Sequence, residues 1–428
     1  MGWLEEIKMG LNGPTPPKVS EAESVARRRY REAWAEVDLV AVRHNVRTLR
    51  TLVAPTSGLC AVVKADGYGH GAVDVARAAL TAGAIGLAVA LVEEAIELRQ
   101  AGISAPILLL SEPPPGAMES AVAAGVHPTI YTPGGVEQAA LAARLLGVRL
   151  NLHMKLDTGM HRVGVDPSDA LPLMASINDD PALKLEGLWT HLAVADGTST
   201  EDRAFTSEQL ARFDRAVAEA RAEGNDPAVL HAANSAGAIA WPEARYNMVR
   251  CGLSVYGLSP DPLRSDSASA AALAAAGGLR PALSLKARVA AVRELDAGER
   301  PSYGRYRALP ARSIVATVPL GYADGVPRGL FHGGFEVLIG GRRRPLAGMV
   351  TMDQIVVDCG PESTVKPGDE VVLLGRQGNE EITAHEWAHC LGTISYEVIC
   401  GIGPRVPRIT VGDNTRPSEA PYSPPNVK

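Results

Sequence analysis

Residues 61–71 read Ala-Val-Val-Lys-Ala-Asp-Gly-Tyr-Gly-His-Gly. The apolar run from Leu59 to Val63 has the composition of a strand, and it delivers Lys64 onto a glycine-rich turn that also presents Tyr68. A lysine in that setting is placed for imine chemistry; an ordinary solvated lysine at a strand end is the alternative. A second cluster, Lys-Leu-Asp-Thr-Gly-Met-His-Arg-Val-Gly at 155–164, offers in Arg162 a planar fork matched to a carboxylate. A third, His-Glu-Trp-Ala-His at 385–389, satisfies the helix pattern in which two histidines ligate zinc and the glutamate acts as base. Gly392 matches the longer form of that pattern, but Ser395 stands where its third histidine belongs. A five-residue pattern arises readily by chance, and surface His and Cys account equally well for His389 and Cys390, so no metal is expected.

The lysine segment closely resembles the pyridoxal 5'-phosphate attachment segment of alanine racemases, where the lysine forms the imine with the cofactor and the tyrosine hydroxyl binds its phosphate. Further segments similar to that family follow in order between Trp34 and Arg408. They are the 155–164 cluster, Thr190-His191, Asn234-Ser235, Arg250-Cys251-Gly252-Leu253, Pro301-Ser302-Tyr303-Gly304, Gly321-Tyr322-Ala323-Asp324-Gly325, Met352-Asp353-Gln354 and Thr393-Ile394-Ser395-Tyr396-Glu397. By their ordered occurrence the chain is identified as a member of the alanine racemase family.

That resemblance implies a racemase interconverting L- and D-alanine on pyridoxal 5'-phosphate, supplying D-alanine for peptidoglycan. Inverting a centre needs a proton removed on one face and returned on the other, so two bases flank the substrate. Lys64 is one, and by resemblance Tyr303 is the other. A tyrosine acts as a base only when neighbouring cations or donors favour its ionised form, and His191 and Arg250 match the family's network for this. Arg250 also faces the pyridine nitrogen in the family. Tyr68, Ser235, the backbone amides of Gly252 and Leu253, and Tyr396 match its phosphate-binding positions, and Asn234 adjoins them. Cys251 stands where many relatives carry proline. Arg162 matches the residue that meets both the ring phenolic oxygen and the substrate carboxylate, and Met352 the one whose backbone amide meets that carboxylate, with Asp353 beside it. Lys155 matches a lysine that carries a carbamate in many relatives; an ordinary lysine snorkelling from a strand end is the alternative. Tyr322, Asp196 and Arg328 match entrance positions, whereas Met349 replaces a common arginine and Gly401-Ile402-Gly403-Pro404 replaces a Ser-Tyr-containing stretch.

Tyr396 would crowd side chains beyond a methyl group, favouring alanine, with serine or broader small-amino-acid racemisation the nearest rival. Barrel-only pyridoxal-phosphate carrier proteins, which are not enzymes, and barrel-containing amino-acid decarboxylases bind the same cofactor. The chain is too long for a carrier, and Tyr303, Met352-Asp353-Gln354 and Tyr396 follow the racemase pattern rather than the decarboxylase one. The family further implies a homodimer in which the β domain of one chain completes the barrel mouth of its partner.

The elements that must position these groups are legible from hydropathy. From Val37 to Arg250, apolar runs at 59–63, 85–90, 107–110, 148–156 and 185–191 alternate with Ala-rich amphipathic stretches. About eight such units predict a (β/α)8 barrel, with Lys64, Lys155, His191, Asn234 and Arg250 at carboxyl ends of strands, where barrel active sites form. A Ser/Ala/Gly-rich stretch at 259–278 separates this barrel, assigned to 34–278, from short strand-like runs at 283–292, 314–318, 335–339, 355–357 and 371–374 that predict a mostly-β domain over 279–412. Residues 1–33 read as a poorly ordered extension and 413–428 as a tail. At 428 residues two domains are expected. No run is long enough to span a bilayer, and no secretory signal opens the chain. A net charge of −6, with Arg342-Arg343-Arg344 the one dense basic run, disfavours nucleic acid as a partner. Five dispersed cysteines predict a reducing, cytoplasmic setting rather than disulfides.

Overall fold

The computed structural model describes residues 31–260 and 268–412; the expectations for most of the N-terminal extension and for the tail lie outside the described residues. Strand β1 (Ala33–Asp38) is followed by eight parallel strands: β2 (Gly58–Val62), β3 (Gly86–Val89), β4 (Ile107–Leu109), β5 (Thr129–Ile130), β6 (Leu150–Lys155), β7 (Leu183–Trp189), β8 (Val229–His231) and β9 (Met248–Cys251). Two four-stranded arcs, in the orders β4-β3-β2-β9 and β5-β6-β7-β8, make up the barrel wall. One seam closes through the parallel bridge Leu108 to His127 and the other through Asn247 N–H to Leu230 O (3.3 Å) and Arg250 N–H to Ala233 O (3.0 Å). β3 and β4 are buried at every position because barrel strands face side chains inside and helices outside, hence their unbroken apolar sequences. The expected (β/α)8 barrel is present.

The second domain holds β10 (Leu283–Arg288), β11 (Ala291–Leu295), β12 (Ser313–Val318), β13 (Glu336–Ile339), β14 (Arg342–Pro345), β15 (Ile355–Asp358), β16 (Glu370–Gln377), β17 (Glu380–Ile382) and β18 (Arg408–Val411). Its main sheet runs β14-β13-β16-β10-β1-β18, with β17 on β16, and a separate antiparallel sheet runs β11-β12-β15. The apolar stretch 283–292 is thus two strands in different sheets, broken at Val289-Ala290. The barrel assignment from residue 34 also needs amending. β1 pairs antiparallel with β10 and parallel with β18, so the chain starts in the second domain and enters the barrel only at the helix Leu39–Val53. Asp38 marks that crossing, its carboxylate accepting from Val40 N–H (2.8 Å) and Ala41 N–H (3.1 Å) as an N-cap. The partner of a strand is not encoded in its own alternation, which is why β1 misleads. The alanine run after residue 267 forms the helix Ala268–Ala275.

One apolar core continues from β2–β4 and β9 into the C-terminal sheets, and a second lies behind β5–β8. The domains therefore share packing rather than merely touching. Among the described residues no helix is long and apolar enough to cross a membrane.

Trp387 anchors the second domain, fully buried, edge-on to Phe335 at 5.2 Å and donating to Leu373 O at 2.9 Å. Trp387→Ala should destabilise the fold by roughly 3–5 kcal/mol, read as a lower midpoint in chemical denaturation.

Candidate active site

Lys64 lies two residues beyond the end of β2 and opens an unusual turn. Ala65, Asp66, Gly67 and Tyr68 all have left-handed backbone angles, with φ of 52°, 50°, 60° and 52°. Only glycine adopts this without strain, and each other residue costs on the order of 1–3 kcal/mol. The surroundings hold the turn in place. Gly67 N–H returns to Val63 O (2.9 Å), Asp66 accepts from Ala72 N–H (2.8 Å), and Glu94 accepts from Ala65 N–H (2.6 Å) and Ala90 N–H (2.8 Å). Arg408, at the far end of the chain, donates to Gly69 O at 2.9 Å. Tyr68 is thereby turned inward and stacks on Tyr256 at 4.8 Å, whose hydroxyl donates to Val62 O (2.9 Å).

The turn faces a cavity of about 550 Å³ at the carboxyl ends of the strands. Its lining brings together the hydroxyls of Tyr68, Ser235 and Tyr396, the backbone at Gly252 and Leu253, the basic groups of Lys64, Lys155, Arg162 and Arg250, and His191 and Asn234. Asn234 caps the helix Ser235–Ala240, accepting from Gly237 N–H (2.9 Å), and so sets Ser235 at the helix start. Ser235 Oγ accepts from Gly252 N–H (3.0 Å) and Ser254 N–H (3.4 Å), leaving its own proton for a ligand. The Gly252 amide, expected to serve a phosphate directly, is thus occupied by Ser235. Gly252 is required for close approach, since a Cβ there would strike the Tyr68 hydroxyl.

Arg250 is buried at the cavity floor. Its guanidinium donates to His231 Nδ1 (2.8 Å), Thr190 O (2.9 Å), Ala232 O (3.0 Å) and, more weakly, His191 Nδ1 (3.4 Å). Burial lowers its pKa to about 10, so it keeps its proton at neutral pH. Burial, then Arg250, pushes His191 well below the usual imidazole range, so the ring is neutral and its Nδ1 accepts. Burial and then Arg162 lower the amine of Lys64, raising the share of nucleophilic free amine. Lys155 is 2% exposed. Trp189, which the residue patterns did not single out, lies between Lys155 Nζ at 4.7 Å and Arg250 at 4.4 Å from its ring, and stacks on His231. His231, His153, Glu94 and Arg408 were missed as well. A polar or aromatic residue two positions from another on an apolar strand, as in His153/Lys155, marks the inner barrel face and is the signal that could have found His153.

The remaining predicted residues do not line this cavity. Tyr303 is 70% exposed, Met352 52% and Tyr322 42%, all on the second domain. The Tyr303 turn is itself strained, with Ser302 at φ 69° and its hydroxyl donating to Met349 O at 2.6 Å. Met349, read as an entrance residue, is buried. Asp353 is exposed and accepts from Arg405 (2.7 Å). Asp196 follows β7, and Arg328 opens a short turn in the second domain. In the His-Glu-Trp-Ala-His helix, Glu386 pairs with Arg343 (3.0 Å) and His385 with Ser259 O (3.2 Å). Among the described residues no three His, Cys, Asp or Glu side chains are placed to share a metal ion.

Residues 37–260 match the alanine racemase N-terminal domain and residues 282–410 the alanine racemase C-terminal domain. The chain belongs to the alanine racemase family. The alanine racemase of Symbiobacterium thermophilum is 47% identical over 384 residues, covering 90% of this chain and 98% of that one. Among solved structures, the alanine racemase from D-cycloserine-producing Streptomyces lavendulae superposes with a TM-score of 0.81 at 40% identity, covering 90% of this chain and 98% of that one. The alanine racemase from Bacillus anthracis with bound L-Ala-P gives 0.81 at 38%, covering 90% and 96%. This alanine racemase family member is accordingly an enzyme, of the isomerase class. The cavity fits the family's pyridoxal phosphate: its lining includes hydroxyls suited to a phosphate, a lysine lies within the same cavity, and the glycine gap beside Tyr68 is one a side chain would fill.

Lys155 yields a test of this electrostatic environment. Its pKa falls from 10.5 to about 8, through burial first and then Arg162 and Arg250. Between those pH values the unfolded chain binds more protons than the folded one, so folded stability rises with pH there and the penalty is complete below about pH 8. Lys155→Met should therefore be more stable than the parent at pH 7 by up to about 3 kcal/mol, with the gap closing toward pH ~10, in denaturation midpoints measured in carbonate-free buffer.

Proposed function

We propose that this enzyme interconverts L- and D-alanine with pyridoxal 5'-phosphate held at Lys64. The observation that carries this reading is the joining, in one cavity, of a lysine with depressed basicity, hydroxyls able to donate to a phosphate, and an arginine fork for a carboxylate. Bound pyridoxal phosphate supplies the electron sink that makes the Cα proton of an amino acid removable.

Each residue then has a defined task. Tyr68, Ser235, Tyr396 and the amide of Leu253 hold the phosphate, and Arg162 binds the substrate carboxylate. Arg250 would present its guanidinium to the ring of a bound cofactor as a donor and, because a guanidinium keeps its proton, would leave a ring nitrogen that it meets unprotonated. A weaker sink limits side reactions such as transamination. Lys64 Nζ takes or returns the Cα proton on one face and the hydroxyl oxygen of Tyr303 does so on the other. Neutral His191, with Nδ1 turned to Arg250, keeps its proton on Nε2 and can donate it to a phenolate. Tyr396 leaves room for a methyl group, which favours alanine over serine. The alanine racemase of B. anthracis, solved with bound L-Ala-P, supports the same choice.

Two further readings belong to this proposal. Lys155 carries a carbamate: its amine, lowered toward neutrality and facing three cations, attacks carbon dioxide and releases a proton, converting a buried cation into an anion beside Arg162. The working unit is a homodimer. The exposure of Tyr303, Met352 and Tyr322, away from the cavity of their own chain, supports their completing the cavity of a second copy. Five free thiols support a reducing cytoplasm, where D-alanine would feed peptidoglycan synthesis.

The purified protein should be yellow, and borohydride should fix the pyridoxyl group to the peptide bearing Lys64; a label elsewhere would overturn the assignment. Lys64→Ala should abolish racemisation, followed by chiral chromatography with alanine and serine, because attachment point and base are lost together. Mixing inactive Lys64→Ala chains with inactive Tyr303→Phe chains should restore activity, since one site of each mixed dimer stays intact. No rescue in mixed dimers confirmed by mass would show that each site is built within one chain.

A further inference from the structure

Behind the cavity the barrel interior contains a line of imidazoles. Arg250 Nη1 lies 2.8 Å from His231 Nδ1, and His231 Nε2 lies 2.9 Å from His153 Nδ1. All three side chains are buried. A guanidinium only donates, so His231 Nδ1 is an acceptor and carries no proton. Burial keeps both imidazoles neutral, His153 with a pKa of about 3 and His231 well below the usual range, so each bears a single ring proton. The proton of His231 is then on Nε2, and His153 Nδ1 accepts it. His153 in turn carries its own proton on Nε2.

The structure makes room for this arrangement. The pairing of β6 with β7 shifts register between Leu152 and His153, so that His153 comes to stand opposite Gly187. A Cβ at 187 would collide with the His153 ring at Nδ1. Trp189, two residues further along the same strand face, stacks nearly parallel on His231, at 5.4 Å and 9°, and fixes the plane of the middle ring.

We propose that His153 is a positioning residue of the racemase site: by accepting the Nε2 proton of His231 it fixes the tautomer whose Nδ1 holds Arg250 at the cavity floor. Without that acceptor the His231 proton can move to Nδ1. Two donors would then face each other where Arg250 now lies, and the guanidinium would lose its place. The importance of Arg250 rests on the reading under Proposed function, whereas the tautomer does not.

The test compares His153→Phe, a ring without an acceptor, with His153→Asn, whose amide oxygen can accept near the Nδ1 position. Nitrogen-15 NMR of the imidazoles in the full chain, with and without pyridoxal phosphate, reports the tautomer directly. Wild type and His153→Asn should show His231 protonated on Nε2, and His153→Phe should show a mixture. Turnover should fall about tenfold in the Phe variant with little change in KM, and recover to within about threefold in the Asn variant. A wild-type His231 protonated on Nδ1 would overturn the proposal, as would a folded Phe variant that keeps both tautomer and turnover. If the Phe variant does not fold, a folded Asn variant that loses the Nε2 tautomer overturns it equally. A wild type with the expected tautomer but no racemisation would refute the assigned reaction while supporting the tautomer lock.

Discussion

Four basic side chains, Lys64, Lys155, Arg162 and Arg250, converge on a cavity whose lining includes no carboxylate. Positive charge confined in this way is unfavourable unless something gives, because Lys155 and Arg250 are buried and all four cations repel their neighbours. The lysines respond by losing basicity, the histidines by staying neutral, and Arg250, which cannot respond, by donating to two backbone carbonyls and two rings. The faces of Trp189 absorb part of the remainder. A site so arranged favours ligands that carry negative charge.

The same constraint explains the architecture beneath. Basic groups can be crowded together only on a frame that does not relax, and the carboxyl ends of eight closed strands provide one. The left-handed turn after Lys64 adds local strain, yet it is tied by Asp66, Glu94 and Arg408, so the lysine has few positions open to it.

Much of this was legible in the sequence. The alternation of apolar and Ala-rich runs foretold the barrel, and the ordered segments named residues that come together in the cavity, though not Tyr303 or Met352, which lie outside its lining. What escaped was of two kinds. Pairing between distant strands escaped, as with β1, because a six-residue alternating strand fits any sheet with a free edge. The supporting residues escaped too. His231 at the end of Val-Leu-His and Trp189 at the end of Leu-Lys-Leu-Glu-Gly-Leu-Trp look like core residues until closure of the barrel brings them against Arg250. The left-handed angles at Ala65 and Tyr68 were also unreadable, since neither residue type favours them alone.

The pairing of β1 with β18 joins the first described strand to the last, and the contact from Arg408 to Gly69 ties the lysine turn to the same C-terminal segment. During synthesis, residues 33–69 emerge from the ribosome more than three hundred residues before their final partners. The turn that presents Lys64 therefore lacks one of its restraints until Arg408 has been made. A product terminated before Arg408 would lack both the edge strand and that restraint, so making the last described strand and securing the lysine turn are one event.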